Sequence, residues 1–428
     1  MFSRVLEGRA NYLDKLRHFT RNARLVLISS FLTGLAFGAF RLLFNFYVLS
    51  LDYDEAFIGT LQTGEALAAI IIALPAAYLA ERFSQKKLLI GVSVIGSVAL
   101  MGVVLFPFTV TLFIFRMGFG MAVAARQVVI APFLMVNTSE DERQWVFSFN
   151  LGLMMTAMFV GNTISGSLPS VFAHILDAEP TSTIAYQYAL GTWGIVALLA
   201  AIPLFYVQII ADPNRPQAET PWRLLRLHGM TLLPYFIPNL LVGLGAGLMQ
   251  PFMNIYFRNV YGQPDPVIGL VFAVGGISMA IAQFIAPPFA DARGKIDAVI
   301  LTQALSIPFL LLLGIGAFMV PSGLGNVTVW FIIAAVAFNF RLGLMNMGNP
   351  IYQIFMLEHV PEDVRALSIS LSSISFQFGW FVMPQISGQL QVQFGEYGFV
   401  PIFFTVAFFY AAAIASQIFF FKRRKIGA

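Results

Sequence analysis

The chain has 428 residues, 58% of them hydrophobic and 11% charged, with a mean hydropathy of +0.79 and a formal net charge of +4. A soluble domain carries about 25% charged residues, so these values exclude a soluble globular protein and point to an all-α membrane protein of many spans. The lack of cysteine excludes disulfides and thiolate metal sites.

Residues 1–24 hold six basic residues with apolar ones between them and no continuous apolar stretch. They read as a cytoplasmic tail, either an amphipathic segment on the membrane surface or a frayed basic end, and not as a cleavable signal peptide. Twelve transmembrane helices follow, at about 25–51, 56–80, 88–106, 109–134, 145–171, 186–209, 230–257, 267–289, 296–319, 328–357, 367–391 and 399–421. Residues 210–229, with three prolines and few apolar side chains, read as a cytoplasmic linker. It separates an N-terminal six-helix bundle (25–209) from a C-terminal one (230–421), and 422–428 form a basic cytoplasmic tail. The histidines His18, His174, His228 and His359 fall in tails or loops, without metal-ligand spacing.

Of the 25 lysines and arginines, 20 fall in segments on one side of this arrangement and only Arg258 falls outside on the other. The positive-inside bias makes the first side, with both termini, cytoplasmic. The opposite loops carry acids instead, Asp52, Asp54, Glu55, Asp177, Glu179, Asp265 and Glu396.

The two halves repeat. Gly34, Gly38, Arg41, Asn45 and Tyr47 in span 1 recur 209 residues later as Gly243, Gly247, Gln250, Asn254 and Tyr256 in span 7. Spacing of i, i+4 stacks the glycines on one helix face and the polar pair one turn apart. The glycines admit a neighbouring backbone, and the polar pair turns costly groups away from lipid. Ile58-Gly59 recurs as Ile268-Gly269 at offset 210. The loop Leu79-Ala80-Glu81-Arg82, followed by Lys86 and Lys87, recurs as Phe289-Ala290-Asp291 with Arg293, Gly294 and Lys295. Arg116 and Gly118 match Arg341 and Gly343. Glu140, Asp141 and Arg143 match Glu362, Asp363 and Arg365, and Asn162, Ser165 and Gly166 match Pro384, Ser387 and Gly388, all at offset 222.

These residues resemble the major facilitator superfamily over essentially the whole chain. Its signature between spans 2 and 3 is Gly-x-Leu-Ala-Asp-Arg-x-Gly-x-Lys/Arg-Lys/Arg. Leu79, Ala80, Arg82, Lys86 and Lys87 match it, while Ala77, Glu81 and Ser84 replace the first glycine, the aspartate and the second glycine. Arg116 with Gly118 and Gly120 is similar to the family's fourth-helix arginine motif. Gly161-Asn162 with Ser165-Gly166 resembles the fifth-helix Gly-Pro-x-x-Gly-Gly of antiporters, departing at the proline and one glycine. The resemblance implies two pseudo-symmetric six-helix bundles rocking about a central site, with spans 1, 4, 7 and 10 lining the cavity.

Charge inside the spans points to the same helices. A charged side chain at mid-span costs about 2.5–3.5 kcal/mol on insertion scales. Arg41, Arg116, Arg126 and Arg341 lie on spans 1, 4, 4 and 10, against one mid-span acid, Glu65. Arg41 and Glu65 lie roughly 15 and 14 Å from the same membrane face at 1.5 Å per residue, so an Arg41–Glu65 pair is expected. It would be either a fixed ion pair or a proton-coupled one in which Glu65 takes up a proton and frees Arg41. Arg116 and Arg126 are about 80° apart around their helix. Gln250 and Asn254 offer neutral hydrogen-bonding groups at the positions of Arg41 and Asn45.

The resulting expectation is a secondary transporter for a small anionic or amphiphilic solute. Arg41, Asn45, Arg116, Arg126, Gln250, Asn254 and Arg341 are candidates for contacting it, Glu65 for proton coupling, and Glu81, Arg82, Arg143, Asp291 and Arg365 for a cytoplasmic gate. The expected partners are the solute, the lipid bilayer and protons; no cofactor or nucleic acid is expected, and the working unit is a monomer. The alternatives are an exporter of lipophilic drugs and a non-transporting receptor that kept the fold. The receptor would call for a large extra soluble domain. An enzyme is disfavoured because no nucleophile–base or metal constellation lies in the spans.

Cysteines introduced singly at Ser3, Ser182 and Gln217 test the topology. An impermeant thiol reagent outside intact cells should label only the Ser182 variant; labelling at Gln217 would invert or break the assignment.

Overall fold

The computed structural model describes residues 19–137, 140–208, 221–361 and 364–423. Among them every regular element is helical. The first six helices are α1 (Arg21–Ser50), α2 (Glu55–Arg82), α3 (Gln85–Leu105), α4 (Thr109–Asn137), α5 (Glu140–Leu176) and α6 (Thr183–Phe205). The second six are α7 (Pro221–Met249), α8 (Asp265–Arg293), α9 (Lys295–Met319), α10 (Val327–His359), α11 (Arg365–Phe394) and α12 (Phe399–Gln417). They form two six-helix bundles. The end at which α1 begins and α12 finishes is called proximal here, and the opposite end distal.

Every span is found, with ends set by local chemistry. Asp54 and Asn326 accept from backbone amides in the first turns of α2 and α10, which satisfies donors that a helix start leaves unpaired. Span 7 is not one helix. Pro251 has no amide to continue the ladder, and residues Gln250–Phe252 tighten into a 3-10 turn before the helix resumes as Met253–Asn259. Three histidines lie in helices rather than loops: His174 and His359 are in the last turns of α5 and α10, and His228 is in α7. The fourth, His18, is outside the described residues.

The repeated glycines act in pairs. A Cβ on Gly34 would sit 2.9 Å from Ala157 Cβ, and one on Gly38 2.8 Å from the Met158 carbonyl, both on α5. In the second bundle a Cβ on Gly243 or Gly247 would lie 2.5 Å from the carbonyl of Phe376 or Gly379 on α11. The same glycine pair therefore seats α1 on α5 and α7 on α11. The tyrosines that follow also correspond. Tyr47 donates to the Val103 and Val104 carbonyls of α3 at 3.5 and 3.4 Å, and Tyr256 to the Leu313 carbonyl of α9 at 2.9 Å.

Gly294 alone joins α8 to α9, at φ 83°, a conformation that favours glycine. Its counterpart in the first half, Ser84, precedes α3 at φ −60°. That turn does not need a glycine, which explains the departure from the signature there.

Added volume at the paired glycines should destabilise the bundles. Gly38→Ala and Gly247→Ala are each expected to cost about 1–3 kcal/mol by overpacking. Gly91→Ala, where a Cβ meets nothing within 4 Å, should gain about 0.5–1 kcal/mol from helix propensity. Thermal denaturation of the three purified variants against wild type checks the difference in sign.

Candidate functional site

The bundles are sealed together at the distal end by contacts that come in symmetric sets. A Cβ on Gly59 of α2 would lie 2.5 Å from the Pro384 carbonyl of α11; one on Gly269 of α8 would lie 2.8 Å from the Asn162 carbonyl of α5. One turn along, Gly388 meets the backbone of Glu55, and Gly166 that of Asp265. The motifs repeated at offsets 210 and 222 are thus the two halves of one inter-bundle seam.

Polar contacts close the seam. Asn45 donates to Asn254 Oδ1 at 2.9 Å and to the Pro251 carbonyl at 2.6 Å, and Asn254 donates back to the Leu42 carbonyl at 2.8 Å. The 3-10 turn at Pro251 presents the carbonyl that Asn45 uses. The two asparagines were expected to contact the solute. Instead they touch, are 2% exposed and do not line the cavity between the bundles, so they close its distal end. Further out, Arg258 pairs with Asp265, and Tyr186 of α6 donates to the other carboxylate oxygen at 2.7 Å. The Arg258 guanidinium lies 3.3 Å from the centre of the Phe46 ring of α1.

Below the seal lies a cavity of about 340 Å³ between the bundles, within the usual range for a small-molecule site. Arg41 and Asn162 line it from one bundle, and Gln250, Arg341, Asn346, Asn349, Trp380 and Tyr410 from the other. Met155, Met158, Met253, Met279 and Met345, with Phe272, Phe338 and Phe376, form its apolar wall. Val242, Asn349 and Phe376 also line a second cavity of about 350 Å³ that leads toward the proximal end past Asn239, Gln353 and Ser372.

The arginines are met in different ways. Arg116 pairs with Glu65, and its guanidinium lies 4.3, 4.9 and 5.7 Å from the ring centres of Phe44, Phe40 and Phe119. The expected Arg41–Glu65 ion pair is therefore not formed. Arg116 on α4 faces α2, where Gly120 allows close approach: a Cβ there would lie 2.6 Å from the Glu65 carbonyl. Arg41 instead donates to Gln250 Oε1 at 3.3 Å and lies 5.4 Å from the centre of the Trp380 ring. Its contact with Gln250 joins the two residues that the repeat places at equivalent positions. Arg126 lies away from the central cavity, bonded to serines of α1 and α3.

Arg341 is 0% exposed. One terminal nitrogen donates to Tyr410 Oη. Nε and Nη1 are buried without a partner, and the side chain lines the cavity. The repeat explains this. Arg341 corresponds to Arg116, but the position equivalent to Glu65 at offset 210 is Gly275. The first bundle neutralises its arginine; the second supplies no acid.

Of the gate candidates, the side chains of Glu81, Arg82 and Arg143 lie outside the described residues. Asp291 is exposed at the end of α8, and Arg365 Nε donates to the Leu357 carbonyl at 3.0 Å. The proximal ends of the second bundle are tied by Lys295–Glu358 and Lys422–Asp297, each at 2.5 Å. Trp380, Tyr410 and the methionines carried no sequence signal, because each sits alone in an apolar run. Asp265 read as an ordinary outer-loop acid.

The sequence model of the family described as Major Facilitator Superfamily matches residues 26–384. The chain is 24% identical over 407 residues to a protein of Bacillus subtilis (strain 168) named "Putative metabolite transport protein YwtG", covering 86% of this chain and 83% of that one. Among solved structures it is similar to nucleoside transporter NupG, with a TM-score of 0.72, 14% identity and coverage of 94% and 99%. It is likewise similar to a D-xylose-proton symporter, with a TM-score of 0.69, 16% identity and coverage of 92% and 97%. At these identities the solved structures speak for the fold.

The Glu65–Arg116 geometry makes a prediction. Arg116→Gln strands a carboxylate and should destabilise the protein by about 3–5 kcal/mol, the cost of breaking a buried pair by removing one partner. Glu65→Gln in the same chain should recover part of that loss, while adding it to Arg41→Gln should recover none. Thermal denaturation of the single and double variants reads this directly.

Proposed function

The chain belongs to the major facilitator superfamily, and from that premise we propose that it moves a small organic anion across the cytoplasmic membrane by alternating access. The observation that carries this reading is Arg341, wholly buried, with two guanidinium nitrogens unpartnered at the wall of the cavity. An uncompensated cation in the low-dielectric membrane interior is costly. A carboxylate or similar group reaching the guanidinium would supply an acceptor and the missing negative charge. Arg41 adds a second positive group from the opposite bundle, and Trp380, Phe272 and Phe376 with the methionines receive an apolar body.

The names of the relative and of the solved structures, which mention metabolites, nucleosides and D-xylose, support transport of a small solute. With the basic segments placed in the cytoplasm, the sealed distal end faces outward and the conformation is inward-facing. Glu65 is the proton-coupling group in this proposal. Its protonation would release Arg116 from its one carboxylate partner among the described residues and loosen α2 from α4. The proximal helix ends with Glu81, Arg82, Arg143, Asp291 and Arg365 would form the inner gate when the bundles rock. The methionine and aromatic wall favours a second reading, export of lipophilic compounds, because thioether side chains adapt to many shapes.

Paired ligands separate the two. Arg341→Gln should weaken binding of an aromatic carboxylate about 10–100-fold, as expected for losing a charged hydrogen bond of about 1.5–3 kcal/mol. Binding of the matching carboxamide should barely change. Equal losses for both ligands in purified protein would favour the exporter of lipophilic compounds.

A further inference from the structure

Gln303 of α9 and Gln417 of α12 are 5% and 1% exposed, yet their side-chain amides make no hydrogen bond among the described residues, and each Oε1 is buried without a partner. Both line the second cavity, of about 350 Å³, which shares Val242, Asn349 and Phe376 with the central one. The side chains of Asn349, Gln353 and Ser373 line it too, again without a hydrogen bond among the described residues. None of the described residues lining this space is charged. An amide held in a membrane bundle without a partner is costly. The repeat singles out Gln303: its counterpart at offset 210 is Ser93, which accepts from Arg126 at 2.9 Å, whereas the Gln303 amide has no such bond.

We propose that this second cavity is a subsite for a neutral polyhydroxylated group, a glycosyl or polyol unit, carried by the same solute whose anionic group reaches Arg341. The proposal rests on the anion reading of Arg341 and extends it. A side-chain amide offers donors and an acceptor, and a serine hydroxyl offers both. The last torsion of a glutamine is broad, so each one can turn either group to the cavity. The hydroxyls of a sugar, each at once donor and acceptor, match such a wall. A second ionic group would find no counter-charge there, and a hydrocarbon would leave the amides unpartnered. Asn349 follows Arg341 on α10 by roughly 12 Å at 1.5 Å per residue, so a solute of one aromatic ring and one sugar is long enough to reach both. Phe376, common to both walls, would pack against the part between.

Two carboxylates of similar length test this on the purified full-length protein: para-(glucosyloxy)benzoate and para-(cyclohexyloxy)benzoate, which lacks the ring oxygen and the hydroxyls of the sugar. Calorimetric titration should show the glucoside bound about tenfold more tightly than the cyclohexyl ether. Gln303→Met/Gln417→Met should weaken the glucoside by about tenfold and leave the cyclohexyl ether unchanged. The melting temperature of this variant without ligand should not fall, because no hydrogen bond within the protein is lost. Should the variant fail to fold, Asn349→Leu/Gln353→Leu, on the exposed part of the wall, carries the test with the same expected loss. Arg341→Gln should weaken both ligands alike. Equal affinity of the wild type for the two ligands would mark a water-filled entry and overturn the proposal, and so would equal losses for both in the glutamine variant. Indifference of both ligands to Arg341→Gln, with the glutamine variant still losing the glucoside alone, would sink the anion reading and leave the sugar subsite standing.

Discussion

A charged side chain inside a membrane must be met by something, and the ways this chain meets its arginines order the rest of the molecule. Arg116 has a carboxylate and three aromatic faces. Arg258 has Asp265, Tyr186 and the Phe46 ring, and in meeting them it clamps the bundles together at the distal end. Arg126 has hydroxyls only. Arg341 has one phenol and a cavity. The first two each have a carboxylate to balance their charge, although Arg116 Nε and Nη1 are also buried without a hydrogen-bond partner. The last two have no carboxylate among the described residues, and Arg341 borders the cavity between the bundles. A deficit of negative charge beside a void is a physical reason to look there for a ligand.

Two-fold duplication explains how the packing was assembled. The repeated glycine, tyrosine and seam motifs each have one structural job done twice. The glycine pairs seat α1 on α5 and α7 on α11, the tyrosines tie α1 to α3 and α7 to α9, and the offset motifs form the α2–α11 and α5–α8 seams. Close backbone approach between helices is a main source of association inside a bilayer, where lipid removes most of the hydrophobic drive. The repeats are therefore concentrated at helix contacts, and divergence between the halves is concentrated at the cavity.

The distribution of apolar runs, prolines and basic residues was enough to place all twelve helices, because the bilayer imposes length and polarity on each one. The glycine contacts were legible for the same reason: small residues at i, i+4 in a span have few other uses. The partner of Glu65 was not legible. Depth follows from counting residues, and it set Glu65 level with Arg41 and put Arg116 nearer the outer end; the rotation of three helices about their axes, which counting does not give, decides the pair. The contact between Asn45 and Asn254 was missed for a different reason. Their repeat position marked them as important, but the carbonyl that draws them together is exposed by the Pro251 turn, a local break that a span-level reading passes over. Arg126 could be placed in its helix from the sequence, but its serine partners lie on two other helices at large separations.

The asymmetry between the halves connects the site to motion on the proposed reading. Arg41 belongs to the first bundle and Arg341 to the second, and the cavity between them lies below the shut distal seam. A solute whose anionic group drew on both arginines would bridge the bundles. Its binding energy would then depend on how far apart they stand, which is the differential affinity between conformations that a ligand needs in order to shift an equilibrium. Glu65 would act on the same balance from within the first bundle, because its protonation would remove the Glu65–Arg116 ion pair between α2 and α4. On this proposal, keeping the acid in one half and having Gly275 at its equivalent in the other would give one duplicated arginine to the scaffold and leave the other for the solute.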